Sequence, residues 1–162
     1  ITWNFAIKTK QHLEEKGYKV IMTRQGDNSC QPVRNQNLEL SCRVNKAESS
    51  GSDIFISIHA NAFIPGVRGT ETYYSSSNSQ SAESKKLADT IHAAYQPVFG
   101  STNRGVKAAN YYVIRNTRIP ATLLEIGFMT DVSFDLPRMM DSNVQNRVAN
   151  SIADAIEKYD GS

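Results

Sequence analysis

The stretch from residue 54 to residue 58 is the feature that most limits how this chain folds. Ile54, Phe55 and Ile56 are consecutive apolar residues that favour strands, and Ile58 continues the run. A strand made of such residues carries apolar side chains on both of its faces. Strands of that kind occur inside sheets that helices cover on both sides, so the run predicts an α/β protein.

The rest of the chain fits that class. Apolar residues recur at helical spacing in four stretches, and alternating or continuous apolar residues mark five strands. The predicted helices span 3–16, 38–50, 82–95 and 143–159, and the predicted strands span 18–24, 53–58, 69–74, 111–115 and 121–125. We therefore expect one domain over residues 1–162, with a twisted, mostly parallel central sheet and helices on both faces.

Composition and motifs exclude several classes. The formal net charge is +2, and the charges are scattered, which argues against nucleic acid as a partner. No apolar run approaches the roughly 18 residues of a membrane span. The glycine-rich phosphate-binding motifs are absent, which argues against a nucleotide binder.

Cys30 and Cys42 are not spaced as a zinc knuckle. They form either a disulfide or two free thiols, and two free thiols are the favoured interpretation.

Two polar residues follow apolar strands, where open α/β sheets bind their ligands. His59 comes directly after the buried strand, and Glu125 interrupts the apolar run 121–129. A histidine there is a metal ligand or a core side chain bonded to a backbone carbonyl. A buried glutamate is a general base with a raised pKa or a structural carboxylate. Together the two predict metal-assisted hydrolysis.

The remaining candidates are weaker. Glu71 lies in a predicted strand, where exposed sheet faces often carry charge. His12 and His92 lie on amphipathic helices and are expected to be solvated.

Five ordered motifs carry a resemblance to a known family. The chain resembles the N-acetylmuramoyl-L-alanine amidases of the type-3 family from its first helix to its last. The matching stretches are residues 17–24, Phe-Ile-Ser-Ile-His-Ala-Asn-Ala at 55–62, Gly-Thr-Glu-Thr-Tyr-Tyr at 69–74, Asn-Arg-Gly-Val-Lys at 103–107 and Pro-Ala-Thr-Leu-Leu-Glu-Ile-Gly-Phe-Met-Thr at 120–130.

The resemblance implies site residues and a cofactor. The family holds one zinc ion through His, Glu and His, with water in the fourth position, and uses a catalytic glutamate. His59 matches the last zinc histidine and Glu125 the catalytic glutamate, while Asn61 and Arg104 are candidates for positioning the substrate. The family's first histidine and its glutamate ligand match nothing in the chain. We expect both, with the strand that carries the histidine, upstream of Ile1.

The implied activity is zinc-dependent hydrolysis of the amide between N-acetylmuramic acid and L-alanine in bacterial peptidoglycan. The expected setting is outside the cytoplasm, at the cell wall, in the periplasm or secreted, as for an autolysin. The expected partner is peptidoglycan, with no nucleic acid and no membrane span, and the protein is expected to be a monomer. The alternative is a catalytically incompetent protein of the same fold that binds cell wall or a regulatory partner.

Overall fold

A computed structural model describes residues 1–26, 28–31 and 35–161. Within these residues the chain forms six helices and four strands that alternate along most of the sequence. The elements are α1 (Thr2–Glu15), α2 (Gln36–Ser49), β1 (Phe55–Asn61), β2 (Thr70–Tyr74), α3 (Ser81–Phe99), β3 (Asn103–Ala108), α4 (Tyr112–Asn116), β4 (Ala121–Phe128), α5 (Asp135–Met140) and α6 (Ser142–Asp160).

The four strands form one sheet in the order β1-β4-β2-β3. β1 is parallel to β4 and β2 is parallel to β3, whereas β2 and β4 are antiparallel. The carboxyl ends of β1 and β4 therefore lie at the same edge of the sheet as the start of β2. The predicted α/β architecture with a mostly parallel sheet is confirmed.

Each face of the sheet supports its own core. Leu124 and Ile126 of β4 point toward α1, α3 and α6, whose buried residues form the larger apolar cluster. Leu123 and Ala121, at the alternate positions of the same strand, point toward α2 and α4. Every residue of β4 is buried, because helices cover this central strand on both sides.

The helix ends follow from local sequence. Asp141 caps α6 by accepting hydrogen bonds from the backbone N–H groups of Asn143 and Val144. Gly100 ends α3 in the left-handed conformation, with φ at 76°, which suits a residue without Cβ. None of the described helices is long and apolar enough to cross a membrane.

Two predicted strands are wrong. In the described part of the chain, residues 18–24 belong to no strand, because none of the four described strands forms a hydrogen-bonded ladder with them. Residues 111–115 overlap the short helix α4 instead. Val113 and Ile114 pack into the core from α4, and Asn78 Nδ2 donates to the Ile114 carbonyl at 2.8 Å. Over five residues, β-branched composition alone does not separate a strand from a helical turn.

Two elements were not predicted. β3 is an exposed, polar edge strand whose identity comes from pairing with β2 and not from apolar alternation. α5 is a six-residue helix that contains Pro137 and is too short to show a helical period.

Cys30 and Cys42 form a disulfide, so the favoured prediction of two free thiols is wrong. Their Cα atoms lie 6.0 Å apart, a usual separation for a bridged pair. The bridge joins Cys30 to Cys42 of α2. Glu39 reinforces this attachment by accepting the backbone N–H groups of Cys30 and Gln31.

Candidate active site at the ends of strands β1 and β4

Three titratable side chains form a row across the sheet. His59 of β1 lies opposite Glu125 of β4, and Glu125 lies opposite Glu71 of β2. Residues opposite each other in neighbouring strands point to the same face, so all three lie on the α2 and α4 side. The sequence predicted that His59 and Glu125 would converge at one edge of the sheet, and the structure places them in adjacent register positions.

Glu125 is the buried carboxylate of this row. It is 9% exposed, and its Oε2 atom has no hydrogen-bond partner among the described residues. Burial, with a contribution from the negative charge of Glu71, raises the pKa of Glu125 to about 7. A carboxylate with that pKa takes up and releases a proton readily near neutral pH, as a general base must.

His59 is half-buried beside it. Its Nε2 atom lies 3.0 Å from Ser57 Oγ on the same strand. Burial lowers the pKa of His59, and the positive charges of Arg43 and Arg24 lower it further. The ring is therefore neutral at physiological pH, which is the form that binds metals.

Glu71 is the centre of a polar cluster, contrary to the expectation of an exposed sheet-face carboxylate. It is 3% exposed. Asn61 Nδ2 donates to its Oε1 at 3.0 Å, Lys107 Nζ donates to its Oε2 at 2.5 Å, and Arg104 Nε lies 3.4 Å from the same Oε2. Burial favours the neutral acid, but the hydrogen bonds from Lys107 and Tyr73 and the two cations outweigh it and lower the pKa of Glu71.

Asn61 and Arg104, the two predicted substrate-binding residues, are thus held by one carboxylate. Asn61 also accepts the backbone N–H of Ala62 at 2.8 Å, so it combines turn chemistry with the link to Glu71. The Arg104 guanidinium lies 5.2 Å from the centre of the Phe128 ring. Asn61 lies two residues after His59 on β1, whereas Arg104 lies on β3, three strands across the sheet from β1.

The absence of a side chain at Gly69 allows Arg104 to pack against the backbone at this position. A Cβ at this position would lie 2.6 Å from Arg104 Cδ and 2.6 Å from the Thr102 carbonyl oxygen. Its φ of 131° is also unfavourable for any residue with a side chain. The glycine that opens the 69–74 motif is therefore required by the close approach of β3.

The two helical histidines lie outside the row. His12 lies 3.0 Å from Asn146 Oδ1 on the neighbouring helix α6. His92 is buried, so the prediction that it is solvated is wrong. Its ring bridges Thr72 Oγ1 at 2.9 Å and Asn103 Oδ1 at 2.9 Å, because the residue faces β2 and β3 from α3.

The described residues fit a zinc ion only in part. His59 offers a neutral imidazole, and the unpartnered oxygen of Glu125 suits a water or ion beside it. A catalytic zinc needs about three protein ligands. Within the described ranges, however, no group of three His, Cys, Asp or Glu side chains is placed to hold a metal.

Two openings lie next to β1. A pocket of about 460 Å³ opens beside His59 and is lined also by Arg24, Arg43 and Met129. A groove of about 570 Å³ runs along the free edge of β1 between that strand, residues 18–24, α1 and α2. The groove lies between β1 and residues 18–24, which were predicted to be a strand.

Lys107 and Tyr73 contact Glu71, and neither was predicted to be a site residue. Both were visible within the motifs at 103–107 and 69–74. Alternation along β2 places Tyr73 on the same face as Glu71, and Lys107 lies opposite Tyr73 in the register of β3.

Comparison with known proteins identifies the family. The family model described as N-acetylmuramoyl-L-alanine amidase matches residues 1–158. The chain belongs to the type-3 N-acetylmuramoyl-L-alanine amidase family. It is 39% identical over 118 residues to the N-acetylmuramoyl-L-alanine amidase LytC of Bacillus subtilis, which covers 72% of the chain and 23% of LytC. It is 30% identical over 168 residues to the germination-specific amidase of the same organism, covering 98% of the chain and 69% of that protein.

A solved structure shows the same fold. The catalytic domain of CwlV, an N-acetylmuramoyl-L-alanine amidase from Bacillus (Paenibacillus) polymyxa var. colistinus, superposes with a TM-score of 0.84 at 35% identity. The match covers 97% of the chain and 81% of CwlV. The chain spans about a quarter of the length of LytC and about two thirds of the length of the germination-specific amidase.

Proposed function

We propose that this protein hydrolyses the amide between the lactyl group of N-acetylmuramic acid and the first L-alanine of the peptidoglycan stem peptide. The observation that carries the proposal is the register pair His59 and Glu125, with a carboxyl group whose pKa burial raises to about 7. Family membership over residues 1–158 supports the substrate class. Because peptidoglycan is the proposed substrate, the proposed setting is outside the cytoplasm, at the cell wall.

Glu125 is the proposed general base. The oxygen of a water molecule forms a bond to the amide carbonyl carbon while Glu125 takes up the proton of that water. The carbon–nitrogen bond then breaks, and the proton passes from Glu125 to the departing amine of L-alanine. Proton transfer by a positioned carboxylate contributes about 10²- to 10⁴-fold to the rate of such reactions.

Zinc is the proposed cofactor, with His59 as one of its ligands. A bound zinc ion polarises a carbonyl and makes a bound water more acidic. Since the described residues do not complete a site, we propose that a further histidine and glutamate come from outside them. The groove along the free edge of β1 offers space for the strand that would carry a ligand to His59.

The test is hydrolysis of purified cell walls by the full-length protein with zinc, followed as new amino-terminal L-alanine. Glu125→Gln is expected to lower the rate by at least 10²-fold without loss of folding. Glu15→Gln, an exposed glutamate on α1, is the matched control and should be fully active. Normal activity of Glu125→Gln would exclude this residue as the base. Release of soluble wall fragments without new amino-terminal L-alanine would show that the amide is not the bond that is cut.

A second candidate is a wall-binding protein of the same fold without activity. The incomplete ligand set among the described residues favours it. Full-length protein that sediments with purified peptidoglycan, contains no zinc and releases no alanine termini would establish this alternative.

A further inference from the structure

The cluster around Glu71 holds more positive than negative charge. Arg104 and Lys107 share the single carboxylate of Glu71, which leaves one excess positive charge. The carboxylate side chain is 4% exposed, whereas the side chains of Arg104 and Lys107 are 35% and 41% exposed. The anion is therefore enclosed, and the two cations are accessible from solvent.

This arrangement differs from an ordinary surface ion pair. Exposed pairs consist of two mobile side chains and contribute little to stability. Here the buried carboxylate accepts hydrogen bonds from Asn61 and Lys107, and Arg104 also packs on the Phe128 ring. Both cationic heads are fixed in place before any ligand arrives. Fixed cations lose less conformational entropy on binding an anion than mobile ones do.

The distance from the proposed base suits one group of the substrate. Glu71 lies opposite Glu125 on the neighbouring strand, and β3 with its cations follows one strand further. Two strand spacings are about 10 Å. The second residue of the stem peptide, a D-glutamate joined to the third residue through its side chain, carries a free α-carboxylate. That group lies about two residues from the scissile nitrogen, or roughly 7 Å in extended chain, within reach of a lysine or arginine side chain.

We propose that Lys107 and Arg104 form a subsite for the free α-carboxylate of the second stem-peptide residue, with Glu71 as the buried carboxylate that positions both cations. Lys107 is a specificity-determining residue of this subsite, and it favours peptides whose α-carboxyl is free over those in which it is amidated. The proposal rests on the proposed function for its substrate class. It concerns binding and not hydrolysis.

Binding is measured by calorimetry with metal-free protein, so that no reaction occurs. The two probes are lactyl-L-alanyl-D-glutamate and its α-amide, lactyl-L-alanyl-D-isoglutamine. We expect the wild-type protein to bind the free acid about tenfold more tightly, as a charge-assisted hydrogen bond of about 1.4 kcal/mol provides. The preference should shrink at high salt, since it arises from partly exposed charges.

Lys107→Met should remove the preference, and Lys107→Arg should retain it. Lys85→Met removes an exposed lysine on α3 that pairs with Asp89, and it is the control that should leave the preference unchanged. Equal affinities of the wild-type protein for the two peptides, or no binding of either, would overturn the proposal whether or not the variants fold. So would an unchanged preference in folded Lys107→Met. Failure of the hydrolysis assay alone would count against the proposed function and not against this subsite.

Discussion

Glu125 and Glu71 face each other across the antiparallel strands β4 and β2, and only one of them is compensated by cations. Glu71 accepts hydrogen bonds from Asn61, Lys107 and Tyr73 and lies beside the Arg104 guanidinium. The hydrogen bonds from Lys107 and Tyr73 and the two positive charges lower its pKa. Glu125 has no such compensating contact among the described residues, and burial raises its pKa to about 7. The pKa values of two carboxylates in neighbouring register positions are thus shifted in opposite directions, which suits the proposed roles of Glu125 as proton acceptor and Glu71 as positioning residue.

This difference predicts a pH dependence of stability. The folded protein retains a proton on Glu125 that the unfolded chain releases above its ordinary pKa of 4.5. The contribution of Glu125 to the free energy of unfolding therefore falls as pH rises from about 4.5 to about 7. Glutamine does not titrate, so Glu125→Gln removes this loss. The free energy of unfolding of the variant, relative to that of the wild-type protein, should therefore increase by about 2 kcal/mol between pH 5 and pH 8.

Urea denaturation of metal-free protein at both pH values measures the effect. Comparison of the two proteins is necessary because His59, with a lowered pKa, acts in the opposite sense: its contribution rises with pH up to its ordinary value of 6.5. A difference between the proteins that does not vary with pH would show that the pKa of Glu125 is not raised.

Zinc binding should depend on His59. The 162-residue chain is expected to bind zinc weakly, because fewer than three ligands converge among its described residues. His59→Ala should remove the binding that remains, and His12→Ala, which removes a ring that contacts Asn146 of α6, should not change it. Competition with a chelating dye measures both affinities. Tight binding that survives His59→Ala would place the metal elsewhere.

The disulfide should stabilise the segment before α2. Cys30 and Cys42 are 12 residues apart, and closing a loop of that size contributes about 3 kcal/mol in the chain-entropy model. Replacing both by serine should lower the free energy of unfolding by about 2 to 3 kcal/mol in urea denaturation. A reducing agent should destabilise the wild-type protein and leave the double variant unchanged. Equal sensitivity of both proteins would assign the effect to another cause.

Gly69→Ala should cost more stability than Gly66→Ala. Both glycines have positive φ, at 131° and 86°, so both substitutions strain the backbone. At Gly69 the new methyl group also collides with Arg104 and with the backbone of Thr102, whereas at Gly66 no atom of the described residues lies within 4 Å of it. We expect about 1 kcal/mol for Gly66→Ala and at least 1 kcal/mol more for Gly69→Ala. Similar melting temperatures of the two variants would contradict the close packing of β3 on this loop.

Apolar periodicity was sufficient to predict the α/β class, the main helices and the central strands, because a pattern that extends over many residues reflects burial directly. It also indicated that His59 and Glu125 lie close together, since His59 follows one apolar run and Glu125 interrupts another. The secondary structure of short or polar segments could not be predicted in this way, because it depends on contacts with distant parts of the chain. Among the described residues, no strand forms a ladder with residues 18–24, whereas β3 is defined by its pairing with β2.

The protonation states of the site were also decided by tertiary structure. In sequence, Glu71 and Glu125 are both glutamates within apolar strands. Their different pKa values arise from neighbours that are distant in the chain, 36 residues away in the case of Glu71 and Lys107. Electrostatic environment depends on distances in space, and these distances are set only when the strands pair in their final order.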